Sequence, residues 1–339
     1  MERMRKTQTI TSTFGDVVLY SASQTSQWRN NRIGPIVNNM VVDITNHGGL
    51  LSVIAETNSS ITKVVFEYDK YVRTETGKPF SMDGDNLGYL VPVYYLGSAG
   101  TKNMTTKFFA GTTLVGTIKN VFTVTRTPLP LPLYQSNAPF VEKNGIIVME
   151  AESIPIDTPW SYEQALLGYT GSGYYRFDGN SYSTGGAKGR LSYLMNITTT
   201  GTYQLLLRSN KNHPDTTWSN DCYVKLKNQT TGLLANLTKT FQSDGRYKWS
   251  SKTRASIGHT TYRSLYSMPK VGLYELQISG RSKNFHLDRI VLFKTSLYNE
   301  TTIMNQSATI PESFRVGQVV PTVAPTGVPS FKPSSVPSI

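Results

Sequence analysis

Nowhere in this chain does an apolar pattern persist at helical spacing long enough to make a long helix. Short runs of alternating polarity recur instead, closely and regularly, each bounded by Gly, Asn, Asp or Pro. Period-two alternation sends every second side chain to one face, so each run reads as a half-buried strand. Ser, Thr, Asn and Gly are plentiful and Tyr (20) outnumbers Phe (13). Together these features predict an all-β protein.

The runs fall into two groups. Residues 17–21, 40–44, 51–56, 63–68, 90–95, 107–109 and 120–125 are seven candidate strands of a first sandwich spanning 8–127, the immunoglobulin-like count. A Pro-rich linker, 128–145, opens with Pro-Leu repeated three times, which is an extended, semi-rigid connector. A second sandwich, 146–295, offers strands at 146–152, 190–196, 201–208, 222–226, 273–279 and 285–293. Residues 296–339 read as a polar spacer followed by a stalk. From Pro321 to Pro337 a proline recurs every fourth residue, followed by Thr or Ser. Such a repeat buries no core and suits an O-glycosylated stalk, or a neutral linker.

The chain carries a formal net charge of +12. Between 146 and 295 there are 18 basic and 10 acidic residues, so most of the excess sits in the second sandwich. A basic surface attracts nucleic acid, anionic lipid or acidic polysaccharide; it is also what a solvated face carries. The single cysteine, Cys222, allows no intrachain disulfide and reads as a small buried strand residue. No apolar run reaches the length of a membrane span, and residues 1–13 are basic without an apolar core. Asn-x-Ser/Thr occurs at Asn58, Asn103, Asn196, Asn228, Asn236, Asn299 and Asn305. With the proline repeat, these sequons predict a fragment of a secreted or cell-surface glycoprotein, with a cytosolic protein as the alternative.

The chemistry-bearing stretch is Glu150-Ala151-Glu152 at the end of an apolar, β-branched run. Side chains two apart on a strand share a face, roughly 7 Å apart at their roots. Crowded carboxylates repel unless something positive lies between them. Asp288, on the run 285–293, would add a third if the two strands are neighbours, giving an all-oxygen pocket of the Ca²⁺-binding kind. A solvated edge strand carries the same spacing.

These acids belong to a longer series. Gly171-Ser172-Gly173-Tyr174, then Gly201-Thr202-Tyr203 running on to Arg208, then Asn220-Asp221, Trp249, Gly272-Leu273-Tyr274, Gly280-Arg281-Ser282 and Leu287-Asp288-Arg289 follow in order. Together they resemble the galactose-binding-like β-sandwich, or jelly roll, of carbohydrate-binding modules of the family 6 and 35 type. The resemblance covers nearly all of 146–295. It implies a structural Ca²⁺ held by Glu150, Glu152 and Asp288, helped by a backbone carbonyl near Gly171–Tyr174. It also implies a polysaccharide or glycoprotein glycan as partner, bound by aromatic, Asn and Arg side chains on loops. A pyranose stacks its C–H face on an aromatic ring and needs paired donors and acceptors for its hydroxyls. The loops expected at 174–180, 209–220 and 242–250 supply Tyr175, His213, Trp218, Asn220, Arg246 and Trp249, with the two tryptophans as platforms. Either tryptophan also suits packing over a sandwich edge, and Asn220 a strand start. Basic residues interleaved with aromatics at 246–254 suit uronate or sulfate groups. They also suit single-stranded nucleic acid, which the stalk, sequons and resemblance disfavour. In 8–127, Leu51 to Thr57, Lys63 to Phe66, Arg73-Thr74-Glu75, Pro79-Phe80 and Gly84-Asp85 are similar to an immunoglobulin-like module found beside carbohydrate-active domains; no activity follows from it.

No acid–base–nucleophile set stands out. Glu150 with Glu152 or Asp288 is the one tempting carboxyl pair, and the resemblance assigns those to metal. The four histidines, His47, His213, His259 and His286, form no metal-ligand pair. The reading is non-catalytic carbohydrate binding. The alternatives are an adhesion or cell-wall protein without sugar affinity, or an accessory region of a glycoside hydrolase.

Overall fold

The computed structural model describes residues 13–22, 31–47, 49–69, 71–86, 89–132, 135–182, 186, 188–213, 215 and 217–318. The proline repeat expected as a stalk lies outside the described residues. The fold is all-β: two pairs of stacked sheets, each pair closing on its own apolar core.

In the first sandwich, a four-stranded sheet pairs Gly15–Ser21 with Arg32–Pro35 and Leu51–Thr57, which also pairs with Phe80–Ser81. The facing five-stranded sheet runs Val41–Asp43, Thr113–Thr125, Gly100–Ala110, Lys63–Tyr68, Tyr71–Glu75. Strand Lys63–Tyr68 shows the cause at its simplest: Val64, Phe66 and Tyr68 are buried while the residues between them are half-buried. Residues 90–95, expected as a strand, are instead an irregular segment ending in a 3₁₀ turn, Tyr94–Leu96. Pro92 has no N–H to give a ladder, so pairing stops there.

The second sandwich has a seven-stranded sheet centred on Gly272–Gly280, flanked by Arg190–Ile197 and Asp221–Asn228. Its partner sheet runs Trp160–Glu163, Tyr174–Phe177, Phe285–Lys294, Gly201–Lys211, Trp249–Ser250. Ile146–Glu150 pairs with Phe285–Lys294, and the register sets Glu150 opposite Arg289. Two departures from the sequence reading matter for the site. Tyr174–Phe177 is a strand, not the start of a loop, because an aromatic-rich run satisfies its backbone between two neighbours. Strand Ile146–Glu150 ends at Glu150, and Ala151–Ser153 turns as a 3₁₀ helix.

The expected spacer after 295 is part of the fold up to Gln318. Helix Glu300–Gln306, capped by the Asn299 side chain, lays Ile303 over Val148, Leu206, Val291 and Phe293. This explains why Phe285–Lys294 is apolar on both faces: a core lies beneath it and a helix above. Beyond the helix, the Arg315 guanidinium donates to the carbonyls of Ser136, Ala138 and Ser153 and stacks on Phe140. Asn228, in a sequon, is buried; its side-chain oxygen accepts from the Thr230 and Thr231 amides, both at 2.9 Å.

The sandwiches meet over a shared apolar cluster in which Val18, Tyr20 and Ile54 of the first touch Leu166 and Tyr174 of the second. Beside it Glu163, 3% exposed at its side chain, takes Arg126 from the first sandwich at 2.6 Å and Arg176 from the second at 3.1 Å. One carboxylate thus bridges two guanidiniums across the junction, and Asp178 adds a second counter-charge for Arg176. Glu163→Ala leaves Arg126 without an ion pair and Arg176 with Asp178 alone, and is expected to cost about 3–5 kcal/mol. Chemical denaturation reads this directly, and a loss below 1 kcal/mol would show that the junction is not coupled to stability.

Candidate functional site

The acids predicted to converge do so, but around a loop. Glu150, Glu152 and Asp288 are all buried. Glu150 accepts from Arg289 Nε at 2.9 Å and Nη2, and its other oxygen lies 2.7 Å from the Thr170 hydroxyl. Asp288 accepts the Thr170 amide at 2.8 Å and pairs with Arg208. Glu152 reaches the same loop through the 3₁₀ turn rather than along a strand. Its Oε1 accepts the amides of Ser172 at 2.6 Å and Gly173 at 3.1 Å. A fourth carboxylate, Glu312, accepts the Glu150 amide at 2.9 Å from the C-terminal segment.

The charges are incompletely balanced. Glu152 Oε2 is buried without a hydrogen-bond partner. Burial, then the Glu150 charge, pushes the Glu152 carboxyl up to about 8. Burial raises Asp288 to about 6 against the opposing pull of Arg208. Glu312 is raised by burial as well. Among the described residues no three acidic, His or Cys side chains form a ready metal cage. Arg289 and Arg208 already hold Glu150 and Asp288. The orphaned oxygen of Glu152 is the one donor left over, and with the neighbouring carboxylates it makes an oxygen-only set suited to a hard cation.

Loop residues 167–173 carry this arrangement outward. Arg208 Nη2 donates to the Gly168 carbonyl at 2.8 Å, and Trp249 Nε1 to that of Leu167 at 2.9 Å. Trp249 is half-buried, edge-on to Tyr174 with centroids 5.0 Å apart, and the Arg208 guanidinium lies 5.4 Å from its ring. Trp249 therefore both packs at the sandwich edge and leaves ring surface beside a cation.

The remaining expected ligand residues are dispersed. Tyr175 is fully buried in the core, its hydroxyl donating to the Ile154 carbonyl at 2.7 Å. A ring without exposed face cannot stack on a sugar, which corrects the expectation from the loop assignment. His213 is also fully buried, and faces the first sandwich: Nε2 lies 3.1 Å from the Tyr71 hydroxyl. Trp218, half-buried, stacks on His213 at 5.4 Å with planes 14° apart. These two rings belong to the junction, whose apolar cluster Trp249 also packs against. Asn220 is half-buried at a strand start, its carbonyl accepting the Gln242 amide at 2.9 Å. Arg246 is exposed, across the Tyr247 ring. Of its basic neighbours, Lys248 pairs with Asp244 at 3.1 Å and Arg254 with Glu300 at 2.6 Å. Thr170 was not anticipated, and the stretch from Gly171, expected to help through a carbonyl, contributes the amides of Ser172 and Gly173 instead. The Gly-Ser-Gly run at 171–173 was their signal.

The chain matches the family model of the glycosyl hydrolase family 115 C-terminal domain over residues 139–302. No curated protein matches it. Among solved structures, the Podospora anserina GH26-CBM35 β-(1,4)-mannanase is similar at 19% identity over 44% of this chain and 28% of that one, TM-score 0.31. A family 35 carbohydrate-binding module from Clostridium thermocellum is similar at 14% identity over 44% of this chain and 98% of that one, TM-score 0.31. CBM35 from Paenibacillus barcinonensis is similar at 22% identity over 43% and 96%, TM-score 0.28. The match thus spans less than a third of the mannanase.

Gly171 tests the loop. Its φ is +61°, and an added Cβ would lie 2.3 Å from Glu152 Oε1 and 3.1 Å from the Glu150 carboxyl carbon. Gly171→Ala meets both backbone strain and a clash, so a loss of about 1–3 kcal/mol is expected in thermal or chemical unfolding. An unchanged midpoint would mean that the loop does not seat on the carboxylates.

Proposed function

We propose that the second sandwich is a non-catalytic carbohydrate-binding module, acting as an accessory region beside a glycoside-active enzyme in a secreted or cell-surface protein. The observation that carries the reading is Trp249, a half-buried ring with Arg208 at its side, standing against the loop that the buried carboxylates fix. The ring offers a stacking surface, and the guanidinium, whose terminal nitrogens hold Asp288 and the Gly168 carbonyl, sets positive charge beside it. The family match over 139–302 supports the accessory role over that of an adhesion protein without sugar affinity. The excess of basic residues around Trp249 favours acidic or sulfated polysaccharide over neutral glycan and supports no nucleic-acid role once the family match is weighed. Binding without catalysis is supported by Glu150 and Asp288. Each is held by a guanidinium and by Thr170, so neither is placed as an acid or nucleophile across a cleft. In this reading the first sandwich is an immunoglobulin-like spacer and the proline repeat a stalk.

The same reading includes a structural Ca²⁺. Glu152 would be its anchor through the orphaned oxygen, with Glu150 and Asp288 beside it. The ion would supply the missing positive charge and tie the two ends of the sandwich to loop 170–173.

A glycan array probed with the full chain is expected to retain uronate-bearing or sulfated glycans. Trp249→Ala is expected to weaken that binding about tenfold or more, with folding checked by circular dichroism. No retention of any glycan, with and without Ca²⁺, would favour the adhesion reading.

The metal is testable through pH. With chelator present, Glu152 is raised in the folded state, so its protonated form is the stabilising one. That contribution is complete below its ordinary value near 4.5 and is lost as pH rises through about 8. The melting temperature should therefore decline over this window, and the decline should flatten in Glu152→Gln. Ca²⁺ should stabilise the parent more at pH 8 than at pH 5, because it competes with the proton, and should leave Glu152→Gln unmoved. Equal stabilisation of both proteins would remove Glu152 from the ion.

A further inference from the structure

Between the sandwiches lies a cleft of about 750 Å³, which falls within the size range of small-molecule sites. One wall is apolar, with Leu129 and Leu131 from the connecting segment and Ile156 from the second sandwich. Leu131 is 46% exposed there. Arg126, Arg176 and Lys283 supply positive charge around the rest. The acids present are committed: Glu163 serves both arginines, and Asp178 pairs with Arg176.

Lys283 is half-buried and has no ion pair among the described residues. Behind the cleft-lining Ser98 sits Lys102, only 4% exposed. Its ammonium has the Ser98 hydroxyl at 3.3 Å and the Tyr95 ring at 4.8 Å, and forms no ion pair among the described residues, though the Asp69 charge acts on it. Burial, then the charge of Lys283, lowers Lys102 to about 8. Arg126 Nε is buried without a partner. A cleft-lining ammonium without an ion pair among the described residues, two guanidiniums beside it and an apolar wall make a surface complementary to an anion that carries an apolar face.

We propose that this cleft is a second binding site, for a saccharide bearing a carboxylate or sulfate. The anionic group is received by Lys283 with Arg126, and the C–H face of the ring rests on Leu129 and Leu131. The saccharide part rests on the function proposed above. Trp249 is not among the residues that line this cleft.

Calorimetric titration of the full chain separates the two. The probes are one oligosaccharide in neutral, uronate-terminated and sulfated forms, and inorganic sulfate alone. The parent should bind the charged forms and not the neutral one at this site. Lys283→Ala should weaken that component about tenfold, and Lys283→Arg should restore it. Trp249→Ala should leave the component in place, and Leu131→Ala should weaken the saccharides but not sulfate. The uronate and sulfate arms show which anion is preferred. Charged-saccharide binding that is lost in Trp249→Ala and untouched by Lys283→Ala would overturn the cleft and leave the first site standing. Binding of sulfate alone, as tight as the sulfated saccharide and insensitive to Leu131→Ala, would overturn the saccharide. Binding of none of the probes to parent or variants would overturn both sites.

Discussion

The second sandwich depends on burying more carboxylate than it neutralises. Glu150, Glu152, Asp288 and Glu312 come from three distant parts of the chain and meet beneath the loop at Thr170. Removing each charge from water costs several kcal/mol unless it is paired and hydrogen-bonded. Arg289 and Arg208 answer two of the acids, and loop amides answer part of a third. The unanswered oxygen of Glu152 is where structure and chemistry remain out of balance. The strand ladder, the loop and the C-terminal segment are tied together by these few groups. Arg289 also donates to the carbonyls of Ser307 and Ile310, so the register of Ile146–Glu150 on Phe285–Lys294 fixes the acids and the covering segment at once.

The junction between the sandwiches redistributes the surface open to a partner. An isolated sandwich would have exposed His213 and Trp218 on a loop. Here Tyr71 meets His213, and Trp218 stacks behind it, so that loop serves the contact between sandwiches. Of the expected ligand residues Arg246 stays exposed, and Trp249 is half-buried against the cluster shared by the sandwiches. The same contact creates a cleft that neither sandwich has alone, because its walls come from both and from the connecting residues. Arg126 is committed to Glu163, while Lys283 on the same cleft has no ion pair among the described residues.

The sequence by itself determined the all-β fold, because period-two alternation has no other use for its two faces. It also indicated most strands of both sandwiches, and it put Glu150, Glu152 and Asp288 together only on the condition that their strands were neighbours, which the pairing of Ile146–Glu150 with Phe285–Lys294 meets. It misplaced Tyr175 because a short aromatic run reads equally as loop or strand until its neighbours on both sides are known. It took 296–318 for a spacer because three apolar side chains, Ile303, Met304 and Ile310, are too few to announce a covering layer. Tertiary structure alone decided which guanidinium met which carboxylate, which rings were covered, and that a charged cleft would form. Those outcomes depend on contacts between segments far apart in the chain, 80 residues for Arg208 with Asp288 and 139 for Arg289 with Glu150, and local pattern holds no information about such distances.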